Sequence, residues 1–468
     1  MARAKKKESA LTPEEKLEQA LVPVEEQPYK VPRNWCWARI GAISDFERGI
    51  TFPASAKENE PTEENIPCLR TANVQENLEI DDLIYVNQSF MKGNEAKLVR
   101  KNDIIMSSAN SRELVGKASF VTHVPFPMTF GGFVLNIRAR GISSKYLFYF
   151  LRQEFLAGKF MGESTQTTNI ANINTTTLGG YELPLPPLAE QQRIVDRIEY
   201  LFAKLDEAKE KAQSVLDSFE TRKAAILHKA FTGELTAKWR AEHGTGMESW
   251  NLLTLNDVAA YKKGPFGSSI TKAMFVPKGD DTYKVYEQGN AIRKTLEYGH
   301  YYISRTKYEE LKGFAVAPGD ILISCAGTIG EAYKLPEDCE EGVINQALMR
   351  VRIYPNIHEQ FFLHYFAGVV KGDVVDKANG TAIQNIPPFK VMKAMEIHLP
   401  TLEEQTEIVR ILDSLFAKEQ QAKEAAEAVL EKIDLLKKSI LARAFRGELG
   451  TNDPADPSAL ELLKSTLP

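Results

Sequence analysis

The chain contains two copies of one long segment. Residues 183–235 align without gaps to residues 397–449, each position lying 214 residues before its counterpart, and roughly half of the aligned residues are identical. A chain of 468 residues is also too long for one hydrophobic core to keep growing. An internal repeat of this size is the sequence signature of duplicated structural units. We therefore predict two repeated domains, each followed by one copy of the repeated segment.

Weaker matches precede the two copies. Their offset varies from 215 to 217 residues, as expected from small insertions in loops. The matched pairs are Trp35 with Trp250, Arg48-Gly49 with Lys263-Gly264, Asn73 with Asn290, Asp103-Ile104 with Asp320-Ile321, Tyr149-Phe150 with Tyr365-Phe366, and Asn169-Ile170 with Asn385-Ile386.

Each repeated segment predicts a long helix of about 44 residues, roughly 65 Å at 1.5 Å per residue. Apolar residues recur in alternating steps of four and three, which is typical of a coiled-coil seam. Gly233 and Gly447 stand where a left-handed helix stop is usual. The seam positions are Ile194, Ile198, Leu201, Leu205, Ala208, Ala212, Val215, Phe219, Arg222 and Ile226 in the first copy, and Ile408, Leu412, Leu415, Glu419, Ala422, Ala426, Val429, Ile433, Leu436 and Ile440 in the second.

Each helix could pack on its own domain, or the two helices could pair with each other. Two matched apolar stripes of equal length favour pairing, because each supplies the partner that the other needs. An antiparallel orientation is favoured, since each helix must return toward the next repeated domain.

The regions between the helices have a mixed α and β pattern. LVRKNDIIMSSA and FAVAPGDILISCAG each combine a turn with a short strand, and FVLNIRAR and ALMRVRI alternate apolar and polar residues as half-buried strands do. SSKYLFYFLRQEF and IHEQFFLHYFAGV predict aromatic-rich helices whose rings belong to the core in preference to a base-stacking platform. The predicted fold class is α+β: two repeated mixed α/β recognition domains separated by two long helices that form an antiparallel coiled coil, in a pseudo-twofold arrangement.

The predicted segments are a charged N-terminal segment 1–33, a first domain 34–180, a central helix and linker 181–248, a second domain 249–396, a distal helix 397–450 and a C-terminal tail 451–468. Residues 11–22 could form a short docking helix or belong to a disordered arm. The tail is expected to add a short helix at its end.

Polar loops rich in Gly, Ser, Thr and Asn interrupt both domains at residues 107–112, 164–169, 264–269 and 380–385. Asn, Gln, Ser and Arg are the side chains that read base edges in DNA, and glycine amides can hold phosphates. Ordinary surface turns have the same composition, so composition alone leaves both interpretations open.

Catalytic and metal-binding motifs are not found in the sequence. There is neither a Gly-x-x-x-x-Gly-Lys-[Ser/Thr] loop nor a Gly-x-Gly-x-x-Gly after a strand, and the seven histidines form no metal-spaced pair. Residues 385–389, Asn-Ile-Pro-Pro-Phe, differ from the Asn-Pro-Pro-Phe of adenine methyltransferases because Ile386 separates the Asn from the prolines. These features argue against catalysis by this chain.

Four scattered cysteines without a Cys-x-x-Cys pair favour a reduced, cytoplasmic compartment. No apolar run approaches the roughly 18 residues of a membrane span. The net charge of −5 argues against a nucleic-acid binder at first sight. However, residues 34–180 carry 15 basic and 15 acidic residues, and residues 249–396 carry 17 of each. The acidity therefore lies in the helices and the tail, and the predicted domains are neutral.

The repeated signatures resemble those of the DNA specificity subunit of type I restriction-modification systems. The resemblance is carried by LPLPPLAEQQRIV and LPTLEEQTEIV before the helices, by FTGEL and FRGEL after them, and by GDILIS and GTAIQNI in the second domain, and it extends from about Trp35 to Leu449. The first domain is the less typical half, with Asn102-Asp103 where the second has Gly319-Asp320, and Thr168-Asn169-Ile170 where the second has Gln384-Asn385-Ile386.

The resemblance implies a non-catalytic DNA reader with two target recognition domains, each binding one half of a split, asymmetric site, and with the coiled coil as a ruler for the spacer. Its implied partners are double-stranded DNA, two modification subunits that methylate adenine, and restriction/translocation subunits. S-adenosylmethionine, ATP and Mg would be bound by those partners and not by this chain.

Two other function classes remain alternatives: a coiled-coil scaffold whose domains bind protein, and a tandem catalytic protein. For base contacts we predict loop residues at matching places in both domains: Arg48, Thr51, Asn73, Asn110, Arg112, Lys117, Gln166, Lys263, Ser268, Asn290, Arg293 and Thr328.

Overall fold

The computed structural model describes residues 12–163, 165–167, 170–372 and 386–467. The chain divides into two compact units, one formed by Met1–Ala212 with Ala428–Pro468 and the other by Gln213–Glu427. Each unit thus contains one predicted recognition domain, the first half of the helix that follows it and the second half of the other long helix.

Twelve strands are described in the first unit: β1 Cys36–Arg39, β2 Ser44–Arg48, β3 Asn65–Leu69, β4 Ile84–Asn87, β5 Ile104–Ser107, β6 Ala109–Asn110, β7 Ala118–Phe120, β8 Thr129–Phe130, β9 Val134–Ala139, β10 Thr165–Thr167, β11 Ile170–Asn172 and β12 Glu182–Leu185. They form sheets in the orders β2-β9-β5-β7, β4-β3-β8, β10-β11-β6 and β1-β12.

Nine strands are described in the second unit: β13 Asn251–Thr254, β14 Ala259–Lys263, β15 Thr282–Tyr286, β16 Tyr302–Ser304, β17 Ile321–Ser324, β18 Ala332–Lys334, β19 Gly342–Ile344, β20 Leu348–Ile353 and β21 Glu396–Leu399. Their orders, β14-β20-β17-β18, β16-β15-β19 and β13-β21, repeat those of the first unit strand for strand. The parallel pair β3–β8 has its counterpart in the parallel pair β15–β19. The predicted domain repeat is therefore a repeat of topology, although few residues match.

The helices of the described residues are α1 Pro13–Ala20, α2 Ile40–Ile43, α3 Ser144–Leu156, α4 Lys159–Glu163, α5 Thr175–Gly179, α6 Leu188–Asp217, α7 Phe219–Phe231, α8 Ala237–Glu242, α9 Leu255–Val258, α10 Gln288–Arg293, α11 Arg305–Glu310, α12 Glu359–Tyr365, α13 Phe389–Lys393, α14 Leu402–Phe445 and α15 Ala459–Thr466. A π-helical turn, Phe366–Val370, follows α12. None of these helices is long and apolar enough to cross a membrane.

The aromatic helices α3 and α12 pack in the cores, as predicted. Tyr146 and Phe361 are completely buried at equivalent positions, and Phe150 and Phe366 are almost completely buried. Apolar burial on this scale supplies most of the stabilisation of such a domain. These rings are therefore part of the core and not a platform for bases.

One predicted match between the two domains is wrong. The amide of Ile173 donates to the carbonyl of Ser108 at 2.9 Å, and the amide of Ile386 donates to the carbonyl of Cys325 at 3.1 Å. Ile173 and Ile386 are both buried, whereas Ile170 is 42% exposed. The structural counterpart of Ile386 is therefore Ile173. The first domain contains Asn-Ile twice, at 169–170 and 172–173, and motif matching selected the first pair.

The long helices run antiparallel within each unit. In the second unit, Lys423 of α14 lies over the ring of Phe219 in α7, and Arg222 of α7 donates to Glu419 of α14 at 2.8 Å. Residues further along α7 therefore contact residues closer to the start of α14. In the first unit, Lys437 of α14 donates to Asp206 of α6 at 2.6 Å, and Thr451, just after α14, donates to Glu190 in the first turn of α6 at 2.9 Å. Antiparallel pairing is confirmed in both units, and Arg222 and Glu419, the two polar interruptions predicted for the seam, bind each other.

The predicted seam is correct in the first copy, where all ten positions are buried or half-buried. In the second copy Ala422, Val429 and Leu436 are exposed, and the residues that follow them, Lys423, Leu430 and Lys437, face inward. Lysine can bury its aliphatic stem while its ammonium reaches a partner. A seam predicted from apolar residues alone therefore misses the lysines and is shifted by one residue at these positions.

Helix length agrees with the prediction in α14, which has 44 residues without a break. The first copy is divided at Ser218 into α6 and α7. Ser218 Oγ donates to the carbonyl of Ser214 at 2.6 Å, and such backbone contacts by serine bend helices. Gly233 and Gly447 follow the two helical segments with φ of +80° and +78°, as predicted for a left-handed stop.

Residues 12–33 pack onto the first unit. Thr12 and Glu15 form a capping box at the start of α1, and the amide of Val22 donates to the carbonyl of Trp37 beside β1. The predicted helix is therefore present as α1, and the tail adds α15 as predicted.

The Glu-Gln pair at the start of each long helix has a structural role. Glu404 is completely buried and accepts hydrogen bonds from Thr236, Arg240 and Trp250 at 2.6–2.9 Å. Its counterpart Glu190 accepts from Arg193, Thr451 and the amide of Asn452. Thr236 comes directly after the first Gly-Glu-Leu signature. Thr451 follows the second signature after one intervening residue, Gly450. The signature at the end of one helix is thus docked on the start of the other.

Asp103 and Asp320, the acidic residues of the NDIIMS and GDILIS segments, also act structurally. Each accepts a hydrogen bond from the amide three residues earlier and binds an arginine on the neighbouring strand, Arg138 or Arg352. Both carboxylates are almost completely buried. Buried carboxylates need such partners, so these residues fix the turn before β5 and β17.

Candidate nucleic-acid interface

Arg48 and Thr51 lie at one end of the four-stranded sheet in the first unit. Arg48 is the last residue of β2, opposite Leu135 of β9, and its side chain is exposed. The next residue, Gly49, crosses the loop before β9 so closely that a Cβ would lie 2.1 Å from the carbonyl oxygen of Gly131. Glycine is therefore required there. Thr51, also exposed, lies beside Gly132 of the same loop.

The second unit repeats this geometry. Lys263 is the last residue of β14, opposite Met349 of β20, and is exposed. A Cβ on Gly264 would lie 1.8 Å from the carbonyl oxygen of Asn345. Ser268 is exposed in the short helical turn Gly267–Ser269. Each unit therefore presents a basic side chain at the same strand end, fixed by a glycine crossing.

Three polar segments of the first unit meet in the small sheet β10-β11-β6. Asn110 pairs with Ala171, which in turn pairs with Gln166, so the two predicted residues lie on one rung of this sheet. The amide and hydroxyl of Ser108 both donate to the carbonyl of Phe133, at 3.0 and 3.1 Å. The described parts of the two predicted loops, residues 107–112 and 165–167, therefore meet in one small sheet, and Ser108 joins this sheet to the loop before β9. Residues 164, 168 and 169 lie outside the described residues.

Arg112 is exposed, and its Nε donates to the carbonyl of Met161 at 3.4 Å. Lys117 is half-buried and donates to Gln75. In the second unit Thr328 is exposed in the turn between β17 and β18, and Arg293 is exposed with its guanidinium 4.9 Å from the ring centre of Tyr298. The predicted loop at 380–385 lies outside the described residues.

Asn73 and Asn290 are not available for DNA in this structure. They are 2% and 0% exposed. The side-chain oxygen of each accepts from the amide three residues earlier, and the amide group of each donates to backbone carbonyls. All of these bonds hold local turns, so we assign both residues a structural role. Their matching positions in the two domains reflect the fold and not a shared contact with bases.

Two exposed aromatic residues were missed by the sequence reasoning. Phe133 is 63% exposed beside Ser108, and Phe266 is 88% exposed between Gly264 and Ser268. Both lie in glycine-containing loops at the strand end that carries Arg48 or Lys263. An aromatic residue directly next to a glycine in a glycine-containing loop was the available signal. Exposed rings of this kind can stack on bases or wedge between base steps.

The thiols near these loops are not activated. Burial raises the pKa of Cys68 and of Cys325 to about 12, so both stay protonated at neutral pH. Among the described residues, no group of three His, Cys, Asp or Glu side chains could hold a metal ion. The surface offers hydrogen-bond donors, acceptors and positive charge, which suit recognition of a polar, anionic ligand.

Comparison with known proteins decides the family. The model of the type I restriction modification DNA specificity domain matches residues 32–216 and again residues 247–432. The chain belongs to this DNA specificity family. Each match covers one repeat, including its mixed α/β domain and most of its long helix.

Named relatives agree with this assignment over nearly the whole chain. The StySPI specificity subunit of Salmonella potsdam is 28% identical over 435 residues, with 90% of each chain covered. The EcoKI specificity subunit of Escherichia coli K12 is 26% identical over 440 residues, again with 90% of each chain covered. Both matches thus extend over 90% of this chain and of the relative.

Two solved structures share the fold. The HsdS subunit of Thermoanaerobacter tengcongensis is 19% identical with a TM-score of 0.62, covering 90% of this chain and 99% of the other. A chain from a study of complex assembly and conformational transition of the type I system is 20% identical with a TM-score of 0.61, covering 90% and 100%. The α+β repeat with two long helices is therefore the fold of the family.

Proposed function

We propose that this protein is the sequence-specific DNA-recognition subunit of a type I restriction-modification complex. The observation that carries the proposal is the repeated strand end, where Arg48 and Lys263 occupy the same place in two domains of the same topology. The polar loops and exposed rings around these residues differ between the units, so the two domains read different half-sites of one asymmetric sequence.

The antiparallel helices set the distance between the half-sites. The hydrogen bonds of Glu190 and Glu404 fix both ends of this spacer, because each joins the start of one helix to the residues after the other. A spacer anchored in this way acts as a ruler for the unspecified DNA between the half-sites.

Catalysis belongs to partner subunits in this proposal. Two modification subunits would methylate adenine with S-adenosylmethionine, and restriction/translocation subunits would use ATP and Mg. This chain would supply recognition and scaffolding and hold none of these cofactors. Its neutral recognition domains give little non-specific attraction to phosphates, so tight binding depends on the partners closing around the duplex.

Sequencing of modified bases tests recognition directly. The chain, co-expressed with its modification subunit in a host without other methyltransferases, should produce methylated adenines within a split motif. Replacing residues 34–180 with the first domain of another family member should change one half of the motif and leave the other half unchanged. Methylation without a bipartite motif would refute the proposal.

The ruler is tested by lengthening both helices. One heptad inserted after Ala212 in α6 and one after Ala426 in α14, the equivalent position, add about 10 Å. The preferred spacer should grow by about three base pairs at 3.4 Å each. An insertion in only one helix serves as the control and should reduce activity without selecting a longer spacer. An unchanged spacer in the double insertion would eliminate the ruler.

A further inference from the structure

A cleft of about 710 Å³ lies within the second unit, between α7, α12, the π-helical turn, β18 and the first half of α14. Its apolar lining includes Leu227, Phe366 and Phe416. Lys223 and Lys294 also line it, and both side chains are exposed. Two carboxylates, Glu220 and Glu331, line it as well, and Glu331 binds Lys371. Because four lysines line it in all, the cleft is a concave surface with an apolar floor and a rim of net positive charge.

The equivalent place in the first unit is filled by that unit's own side chains. Lys437 donates to Asp206 at 2.6 Å and lies 3.5 Å from Glu76. Arg152 also binds Glu76, and both cations lie over the ring of Phe202, at 5.6 Å for Arg152 and 5.3 Å for Lys437. Two carboxylates and two cations thus occupy the position of the cleft.

The second unit retains the lysine and the ring but lacks both acids. At the 214-residue offset Lys223 corresponds to Lys437 and Phe416 to Phe202, and Lys223 lies 5.8 Å from the centre of the Phe416 ring. Asp206 corresponds to Gln420, and Glu76, at the 217-residue offset of its own segment, corresponds to Arg293. Among the described residues, no carboxylate lies within ion-pair distance of Lys223 or Lys294.

The π-helical turn explains why the cleft is open. At the helix caps Ser143 and His358 the offset is 215, and at Phe150 and Phe366, the first residue of the turn, it is 216. The turn accommodates one extra residue, and it places Gly368 where the first unit has Arg152. Gly368 packs against Leu227, where a Cβ would lie 3.0 Å from the leucine Cβ. Such π-helical turns occur often at functional sites.

We propose that this cleft binds an acidic segment of a partner protein. A carboxylate of the partner occupies the position in the second unit that Asp206 and Glu76 occupy in the first, and it pairs with Lys223 and Lys294. An apolar side chain of the partner covers Phe416. A protein ligand is favoured over DNA because the internal counterpart is completed by carboxylates and because much of the lining is apolar. The inference rests on the proposed function, since it gives the modification subunit one contact that only the second unit can provide.

Site-specific photo-crosslinking in the full complex tests this proposal. Ala224 is exposed and lines the cleft, so p-benzoylphenylalanine at this position of the full chain should crosslink to a partner there. With the modification subunit and a duplex present, we expect a crosslinked peptide of that subunit containing Asp or Glu. The double variant Lys223→Glu/Lys294→Glu should reduce its yield at least tenfold.

A matched control is Lys418→Glu on α14, an exposed residue of the same unit that does not line the cleft, and it should leave the yield unchanged. Changing the mapped acidic residue of the partner to Lys should restore crosslinking to the double variant. Crosslinks to DNA, to a peptide without acidic residues, or to this chain would overturn the proposal, as would no crosslink.

The methylated motif produced by the same complex separates the two proposals. A bipartite motif without the expected crosslink refutes only the cleft. The loss of the motif with the crosslink intact refutes only DNA recognition. If no complex forms with the modification subunit, both proposals fail.

Discussion

The side-chain oxygen of Gln405 accepts a hydrogen bond from the backbone amide of His358 at 2.7 Å. His358 is the cap residue of α12, and Gln405 lies in the first turn of α14. The same bond joins Gln191 to the amide of Ser143, the cap of α3, at 2.8 Å. In both units the side-chain NH2 group of the glutamine donates to the carbonyl of a proline that lies just before the same long helix. The glutamine thus fixes the core helix of each domain to the start of a long helix.

Replacement of Gln191 by alanine should destabilise the first unit by about 1–3 kcal/mol, because a buried amide at the cap of α3 would lose its acceptor. Chemical unfolding followed by circular dichroism measures this change. The adjacent Gln192→Ala variant is the control, since Gln192 is exposed and bonds only within its helix to Asp196. Equal effects of the two variants would contradict the structural role.

Replacement of Glu404 by alanine should cost more, about 3–5 kcal/mol, because Arg240 would remain buried without its carboxylate. Trp250 would lose its acceptor as well. Glu403→Ala is the matched control, because Glu403 is the preceding residue of the same turn and is exposed. We expect thermal unfolding of the second unit at a clearly lower temperature for Glu404→Ala only. An unchanged midpoint would show that the network contributes nothing.

Stability should depend on pH through Glu76. The hydrogen bond from Arg152 lowers the pKa of this carboxyl below its usual value, and Lys437 adds to the effect. A group with a lowered folded pKa stabilises the fold above its unfolded pKa, near 4.5, and this contribution is lost as pH falls through the folded value. Unfolding titrations between pH 7 and pH 3 should show a smaller loss in Glu76→Gln than in the natural chain. Glu79→Gln, an exposed neighbour, should retain the full pH dependence.

Arg48 and Lys263, which we predict among the residues that contact bases, should each also bind a phosphate. In the assembled complex, either Arg48→Ala or Lys263→Ala should weaken binding about tenfold and reduce the slope of log affinity against log salt by about one. Fluorescence anisotropy at several salt concentrations measures both quantities. Lys101→Ala, an exposed residue in the turn before β5, is the control for a lost charge alone. A reduced affinity with an unchanged slope would exclude a phosphate contact.

The sequence by itself determined the repeat, the fold class and the long helices. The heptad pattern and the repeated helix segments carry this information locally, since apolar periodicity depends only on spacing along the chain. Thus Arg222 and Glu419 stand out in the sequence as the two polar positions of the seam. The repeat of the recognition domains was predictable because matched residues, among them Asp103 and Asp320 in the turns before β5 and β17, recur at nearly constant offsets.

Only the tertiary structure decided which polar residues face solvent. Asn73 and Asn290 looked like base-reading residues by type and position, but the fold buries both, and their side chains bond to backbone groups of their own local turns. Lys437 is not among the predicted seam positions, but the second seam passes through it because Asp206 and Glu76 accept its charge. Long-range pairing of this kind depends on which residues the fold brings together. For the same reason, the cleft beside Lys223 becomes visible only when the two folded units are compared.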